Sequence, residues 1–147
     1  MIKRRSFARA CIAAGALAFA AASGSLVSFA AQAAKPLKIG FSMALTGGLA
    51  GAGKAALIAM EIWREDVNRT GGLLGRPVEF VYYDDATQPS KVPGIYTKLI
   101  SVDKVDLVVS SYGTNEIAPA MPIVMRKKMV FLSLFGLAVN DEFKYDR

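Results

Sequence analysis

The segment LKIGFSMALTGGLAGAGKAALIAMEIWREDVNR, from Leu37 to Arg69, is the most informative about the fold, because it predicts a strand, a loop and a helix in succession. Leu37–Leu45 is a short apolar run and predicts a buried strand. Thr46–Gly53 is rich in glycine and predicts a loop. Lys54–Arg69 predicts an amphipathic helix, because its apolar residues recur at spacings of three and four along one face. These residues are Ala56, Met60, Trp63 and Val67.

The remainder of the chain continues this alternation of strand and helix. Gly71 and Gly72 end the first helix. Strands and helices are then predicted in turn at Val78–Tyr83, Ser90–Val102, Asp106–Ser110, Ile117–Lys128 and Met129–Leu132. The strands are continuous apolar runs in the order β-α-β-α-β-α-β. This pattern predicts an α/β fold, a doubly wound parallel sheet covered by helices on both faces.

Four loops are expected to share one edge of this sheet. Binding sites in open parallel sheets lie outside the carboxyl ends of the strands. The predicted strands lead into Thr46–Gly53, Asp84–Gln88, Ser110–Asn115 and Ser133–Asn140. Candidate site residues are therefore sought in these four loops.

The composition excludes several classes of function. The 147 residues carry 18 basic and 12 acidic side chains, a net charge of +6. Four of the basic residues precede residue 10 and no acidic residue precedes Glu61, so residues 34–147 have a net charge of only +2. That excess is too small for nucleic-acid binding. The chain has no His and a single Cys, Cys11, which excludes disulfides, zinc clusters and Cys–His nucleophiles.

Residues 1–33 have the pattern of a secretory signal peptide. Lys3–Arg9 is positively charged, Cys11–Ala22 is apolar and rich in Ala, and Ala31–Ala33 fits the small-x-small cleavage rule. We therefore expect a mature protein of residues 34–147 that works in the periplasm.

A transmembrane anchor is the alternative for this segment. Cys11–Ala34 is long enough to span a bilayer, but Ser23-Gly24-Ser25 interrupts it. We expect no stable membrane insertion once the signal is removed. The pair Arg4-Arg5 is compatible with twin-arginine export as well as with Sec export.

Two phosphate-binding motifs are nearly matched. Gly48-x-x-x-x-Gly53-Lys54 resembles the start of a P-loop, but Ala55 stands where a Ser or Thr hydroxyl must hold Mg²⁺. Gly51-x-Gly53 resembles part of the dinucleotide fingerprint, but no acidic residue follows at the required distance. The sequence therefore predicts neither an NTPase nor a dehydrogenase, and no cofactor, metal site or catalytic residue.

Four segments, in order, resemble the solute-binding proteins of ABC transporters for branched-chain amino acids and related amides. The second is the most specific, because it combines a helix-ending Gly-Gly with Gly-Arg-Pro and a strand ending in Tyr-Asp-Asp. The segments are KIGFSMALTGGLAGAGKAA (Lys38–Ala56), NRTGGLLGRPVEFVYYDDATQPSK (Asn68–Lys91), DKVDLVVSSYGTNEIAPAMPIV (Asp103–Val124) and VFLSLFGLAVNDEF (Val130–Phe143).

The resemblance implies the first lobe of a type I periplasmic binding protein of the Leu/Ile/Val-binding kind. Such proteins close two lobes over a small solute and pass it to a membrane permease, without covalent chemistry. They are usually more than twice as long as this chain, so residues 34–147 would form only an incomplete first lobe. The resemblance also makes Asp84 and Asp85 structural, and the sequence supplies no acid–base partner for them.

The resemblance also implies which residues contact the ligand. In the family, the loop after the third strand binds the ligand's carboxylate, and the matching residues here are Tyr112, Gly113, Thr114 and Asn115. Thr114 stands where a hydroxyl belongs. Simple helix capping is the alternative for Thr114 and Asn115, and packing against the sheet is the alternative for Tyr112.

The loop after the fourth strand is expected to face the same cleft. Ala138 and Val139 stand where family members that bind α-amino acids commonly have Ala and Thr. The missing hydroxyl leaves room for an amide ligand, and Ala52, at a position that is often aromatic, implies a roomier pocket.

The first lobe alone supplies one wall of a cleft that needs two. The alternative to a working transporter component is therefore a truncated remnant that binds amino acids no better than about millimolar.

Overall fold

The computed structural model describes residues 35–136. Strands and helices alternate as the sequence predicts. They are β1 (Leu37–Met43), α1 (Ala50–Arg69), β2 (Val78–Asp84), a short 3-10 turn (Pro89–Lys91), α2 (Val92–Ser101), β3 (Leu107–Val109), α3 (Thr114–Ile117), α4 (Met121–Arg126) and β4 (Phe131–Leu132).

The four strands form one parallel sheet in the order β2-β1-β3-β4. β1 pairs with β2 over its whole length, from Leu37 opposite Val78 to Met43 opposite Asp84. Its other edge pairs with β3, and β3 pairs in turn with β4. The predicted parallel α/β sheet is confirmed, and all strands point their carboxyl ends toward the same edge.

Each face of the sheet has its own hydrophobic core. Side chains of β1 alternate between the two faces, because successive residues of a strand point in opposite directions. On one face α1 packs on a cluster that contains Ile39, Phe41, Met43, Ala56 and Met60. On the other face α2 and α4 pack on a cluster that contains Val92, Tyr96, Leu99, Val108 and Val124. Helices therefore cover both faces, as predicted.

Two predicted helices differ from those observed. α1 begins at Ala50 rather than Lys54, because the Gly53 N–H already donates to the Leu49 carbonyl at 2.9 Å. The predicted helix Ile117–Lys128 is divided into α3 and α4. Pro119 and Pro122 lie within it and have no N–H, so the backbone ladder is interrupted there.

Hydrogen bonds of the Arg76 and Asp106 side chains connect the amino ends of the strands. The Arg76 guanidinium donates to the carbonyls of Lys35 and Pro36, both at 2.9 Å, and contacts the Asp106 carboxylate at 3.2 Å. The same carboxylate accepts from the Lys38 N–H at 2.8 Å.

Over residues 35–136, no helix combines the length and apolar character needed to cross a membrane.

Candidate ligand-binding site

The loops after β1 and β2 are joined at the carboxyl edge of the sheet by Asp84. Its carboxylate accepts hydrogen bonds from the N–H groups of Leu45 (3.0 Å), Thr46 (3.2 Å) and Ala86 (2.8 Å), and from the Thr46 hydroxyl at 2.6 Å. Every one of these donors belongs to a turn that leaves the sheet. Asp84 therefore shapes the site's first two loops, which is a structural role.

Thr87 makes a second connection between the same two loops. Its hydroxyl donates to the Thr46 carbonyl at 2.9 Å and accepts from the Leu49 N–H at 3.1 Å. Gly47 has φ +84°, and a Cβ there would overlap the Ala86 carbonyl oxygen. The loop after β1 is consequently held against the loop after β2 and cannot accept a larger residue at Gly47.

Asp85 connects the second loop to the third. Its side chain is fully buried. One carboxylate oxygen accepts from the Thr87 N–H at 2.9 Å, and the other accepts from the Ser111 hydroxyl. Ser111 directly precedes Tyr112–Asn115, the proposed ligand loop. Asp85 therefore fixes the start of that loop relative to the loop after β2.

Buried polar groups form the floor beneath these loops. The Tyr96 hydroxyl donates to the Val109 carbonyl at 2.6 Å, and burial raises the pKa of this phenol. The Ser110 hydroxyl accepts from the Leu134 N–H at 3.0 Å. The Ser42 hydroxyl is also buried. The floor is therefore polar at the point where β1, β3 and β4 end.

Glu116 lies at the same end of the sheet as the candidate residues, but the sequence analysis did not identify it. It is only 3% exposed. Desolvation raises the pKa of its carboxyl, and the nearby charge of Asp85 raises it further. A Cβ on Gly113, whose φ is +109°, would collide with this carboxyl. The Glu116 side chain thus lies directly under the ligand loop, where it explains the need for glycine at that position.

The structure places Tyr112, Gly113, Thr114 and Asn115 in sequence at the edge, after β3. Tyr112 is half-buried, and its ring lies 5.7 Å from that of Phe135, against the α1-side core. Gly113 is the N-cap of α3, and Thr114 and Asn115 are the first two residues of the helix, so neither occupies the cap position. Thr114 is half-buried and Asn115 is exposed.

The loop after β4 reaches the same edge. The Gly113 N–H donates to the Phe135 carbonyl at 3.3 Å, which places this loop beside the ligand loop. Ala138 and Val139 lie outside the described residues. Ala52 lies inside α1, and not in a loop as the sequence predicted.

Gly51 and Gly53, which the two phosphate motifs share, do not form an exposed phosphate-binding loop. Gly51 and Gly53 both lie within α1. Gly53 is buried, and a Cβ there would overlap the Ala44 carbonyl oxygen. Its small size therefore lets α1 approach the end of β1.

We expect the ionised Asp84 to stabilise the fold in a pH-dependent way. Desolvation opposes its ionisation, but its four hydrogen bonds together lower the pKa of this carboxyl below the usual 3.8. A lowered folded-state pKa means that the contribution is complete above about pH 5 and is lost as the pH falls through that pKa. Asp84→Asn should therefore lower the free energy of unfolding by about 1–2 kcal/mol at pH 7, with a smaller deficit at pH 3.

Urea unfolding at pH 7, 5 and 3 measures this difference. Glu79→Gln is the matched control, because Glu79 is an exposed carboxylate on β2, the same strand as Asp84, and should change stability little at any of these pH values. A deficit for Asp84→Asn that is as large at pH 3 as at pH 7 would contradict the assignment.

Comparison with known proteins agrees with this architecture. A family model described as periplasmic binding protein matches residues 36–146. An amino acid binding protein of Pseudomonas aeruginosa is 29% identical over 77 residues, which cover 48% of this chain and 21% of that protein.

Solved structures share the fold. The branched-chain amino acid transporter substrate binding protein LivJ of Streptococcus pneumoniae, in complex with isoleucine, has a TM-score of 0.71 at 24% identity and covers 75% of this chain and 32% of that one. A solute binding protein of an ABC transporter from R. palustris, in complex with benzoate, has a TM-score of 0.61 at 26% identity and covers 67% and 27%. The chain thus spans a third or less of the length of these relatives. The match of the family model to residues 36–146, about three quarters of the chain, shows that the chain belongs to the periplasmic binding protein family.

Proposed function

We propose that this chain supplies the first part of the first lobe of an extracytoplasmic solute-binding protein for an ABC importer. The observation that carries the proposal is the cross-linked carboxyl edge, where Asp84, Thr87 and Asp85 hold three loops together. A rigid edge of this kind is what a binding cleft needs, because preformed loops lose little entropy when a ligand binds.

The solute in this proposal is a small polar molecule, a branched-chain amino acid or a related amide. Support comes from the relatives, which include an amino acid binding protein and a structure in complex with isoleucine. The ligand-contacting residues would be Tyr112, Gly113, Thr114 and Asn115, together with Ala138 and Val139. Of these residues, Gly113 and Tyr112 contact Phe135, which follows β4.

The partner in this proposal is the membrane permease of the importer, which receives the solute from the closed protein. Binding and release require no covalent step. The burial of Gly53 within α1 also supports a non-enzymatic role, because a nucleotide-binding loop would need its backbone exposed.

The first experiment is the intact mass of the protein purified from the periplasm of its host. Purification from the host includes any segment that follows residue 147. A mass of about 12–13 kDa would indicate residues 34–147 alone and favour the non-binding remnant. A mass near three times larger would favour the two-lobed transporter component. A panel of amino acids and amides is then screened by thermal shift on the same material.

We expect Thr114→Ala to weaken solute binding in that protein. Loss of one hydroxyl contact to a polar ligand should raise the dissociation constant about tenfold, as measured by isothermal titration calorimetry. Thr97→Ala is the control, because the Thr97 hydroxyl lies on α2 and donates to the Pro93 carbonyl at 2.7 Å. Equal affinities for the two variants would show that the Thr114 hydroxyl does not contact the solute.

A further inference from the structure

The outward face of α1 is apolar over two turns. Ile58 is 61% exposed and Ile62 is 57% exposed. Ala55 and Ala59 are exposed beside them, and the spacing of three and four places all of them on one helix face. The sheet is contacted by the opposite face of α1, so among residues 35–136 nothing covers these isoleucines.

The charges beside this face fit a second α1 that runs in the opposite direction. Lys54 lies six residues before Met60, and Glu65 lies five residues after it. In an antiparallel pair of helices centred at the level of Met60, Lys54 of each copy therefore lies one residue, or about 1.5 Å along the helix axis, from the level of Glu65 of the other, within reach of its carboxylate. Neither side chain has an ion pair with any other described residue. A parallel pair would instead bring Lys54 against Lys54.

The side-chain sizes fit the same arrangement. Ile58 and Ile62 lie at equal distances from Met60, so each Ile58 packs on the Ile62 of the other copy. Gly51 and Arg69 are also at equal distances, and the space around Gly51 is open. A helix without a side chain at Gly51 can therefore accept the long Arg69 of the other copy, which already pairs with Asp66 of its own helix.

We propose that α1 is a self-association surface, through which two copies of this chain pair by antiparallel α1 helices about a two-fold axis at the level of Met60. A two-fold interface repeats every contact, so the pair gains two Lys54–Glu65 contacts and two Ile58–Ile62 contacts. One helix per copy is a small interface, and the dimer is therefore weak and dependent on concentration.

Sedimentation equilibrium over a range of protein concentrations tests the surface. The wild-type chain should show a reversible monomer–dimer equilibrium. Ile58→Glu should raise the dissociation constant at least tenfold, because it buries a charge at the centre of the interface. Leu74→Glu is the matched control and should leave the constant unchanged, since Leu74 is 97% exposed and lies outside α1. Circular dichroism verifies that both variants are folded.

Charge reversal and cross-linking test the orientation. Lys54→Glu should weaken the dimer, and adding Glu65→Lys to it should restore the affinity. With Cys11 replaced by Ser, a mixture of Ile58→Cys and Ile62→Cys chains should form disulfide-linked dimers faster than either chain alone, and Leu74→Cys should form few. A protein that stays monomeric up to about 1 mM, or an Ile58→Glu variant that dimerises as the wild type does, overturns the proposal.

Discussion

Gly53→Ala should destabilise the protein by about 3 kcal/mol, although Ala is the better helix former. Gly53 lies inside α1 and is buried against the end of β1. An added Cβ would overlap the carbonyl oxygen of Ala44, which belongs to the backbone and cannot rotate away. The helix must therefore shift from the sheet, and core contacts of Ala56 and Met60 are lost with it.

Gly51→Ala is the matched control, in the same helix and two residues away. Gly51 is exposed and a Cβ there meets open space. Ala should stabilise the protein at this position by about 0.5–1 kcal/mol, because it loses less backbone entropy on folding. Urea unfolding of both variants at low protein concentration measures the difference. Similar effects at the two positions would show that α1 does not approach β1 as closely as described.

Asp85→Ala should cost about 3–5 kcal/mol of unfolding free energy. The change removes the acceptor of the Ser111 hydroxyl and of the Thr87 N–H. Asp85 and Ser111 are fully buried, so water cannot easily replace the lost bonds. Each donor left without a partner costs about 1–3 kcal/mol, and the lost packing of the carboxylate adds to this.

A double-mutant cycle with Ser111→Ala isolates the bond between the two loops. The double variant should be more stable than the sum of the single effects predicts, by about 1–3 kcal/mol, because Ser111→Ala removes one of the donors that Asp85→Ala leaves without a partner. Asp103→Ala is the control, since Asp103 also accepts from a side-chain hydroxyl, that of Tyr83 at 3.1 Å, but is not fully buried. Additive effects of Asp85→Ala and Ser111→Ala would mean that the bond does not link the loops.

The alternation of strands and helices could be predicted because it depends on residues close together in sequence. The apolar spacing of α1 correctly identified Ala56 and Met60 as buried core residues. Trp63 shares that spacing but is 42% exposed, because its ring stacks on Phe80 of β2, the edge strand, where one side stays open to solvent. A helical wheel shows which face is apolar, and the position of the sheet edge decides how much of that face is covered.

The edge of the sheet that carries the loops was also predictable, because parallel strands all end on one side. The contacts within that edge were not. Asp85 and Ser111 are 26 residues apart in the chain, and no local pattern distinguishes a buried Asp85 from the half-buried Asp84 beside it. Glu116 gave a weak signal at most, as an acidic residue next to the apolar Ile117.

The order of elements, the parallel α/β class and the resemblance to solute-binding proteins follow from the residues alone, since they depend on periodicity and short motifs. The start of α1, the contacts between loops and the burial of the carboxylates depend on the folded chain, because strand register and the approach of α1 to β1 bring distant residues together. The hydrogen bonds of Asp84, Asp85 and Thr87 exist only once that register has formed.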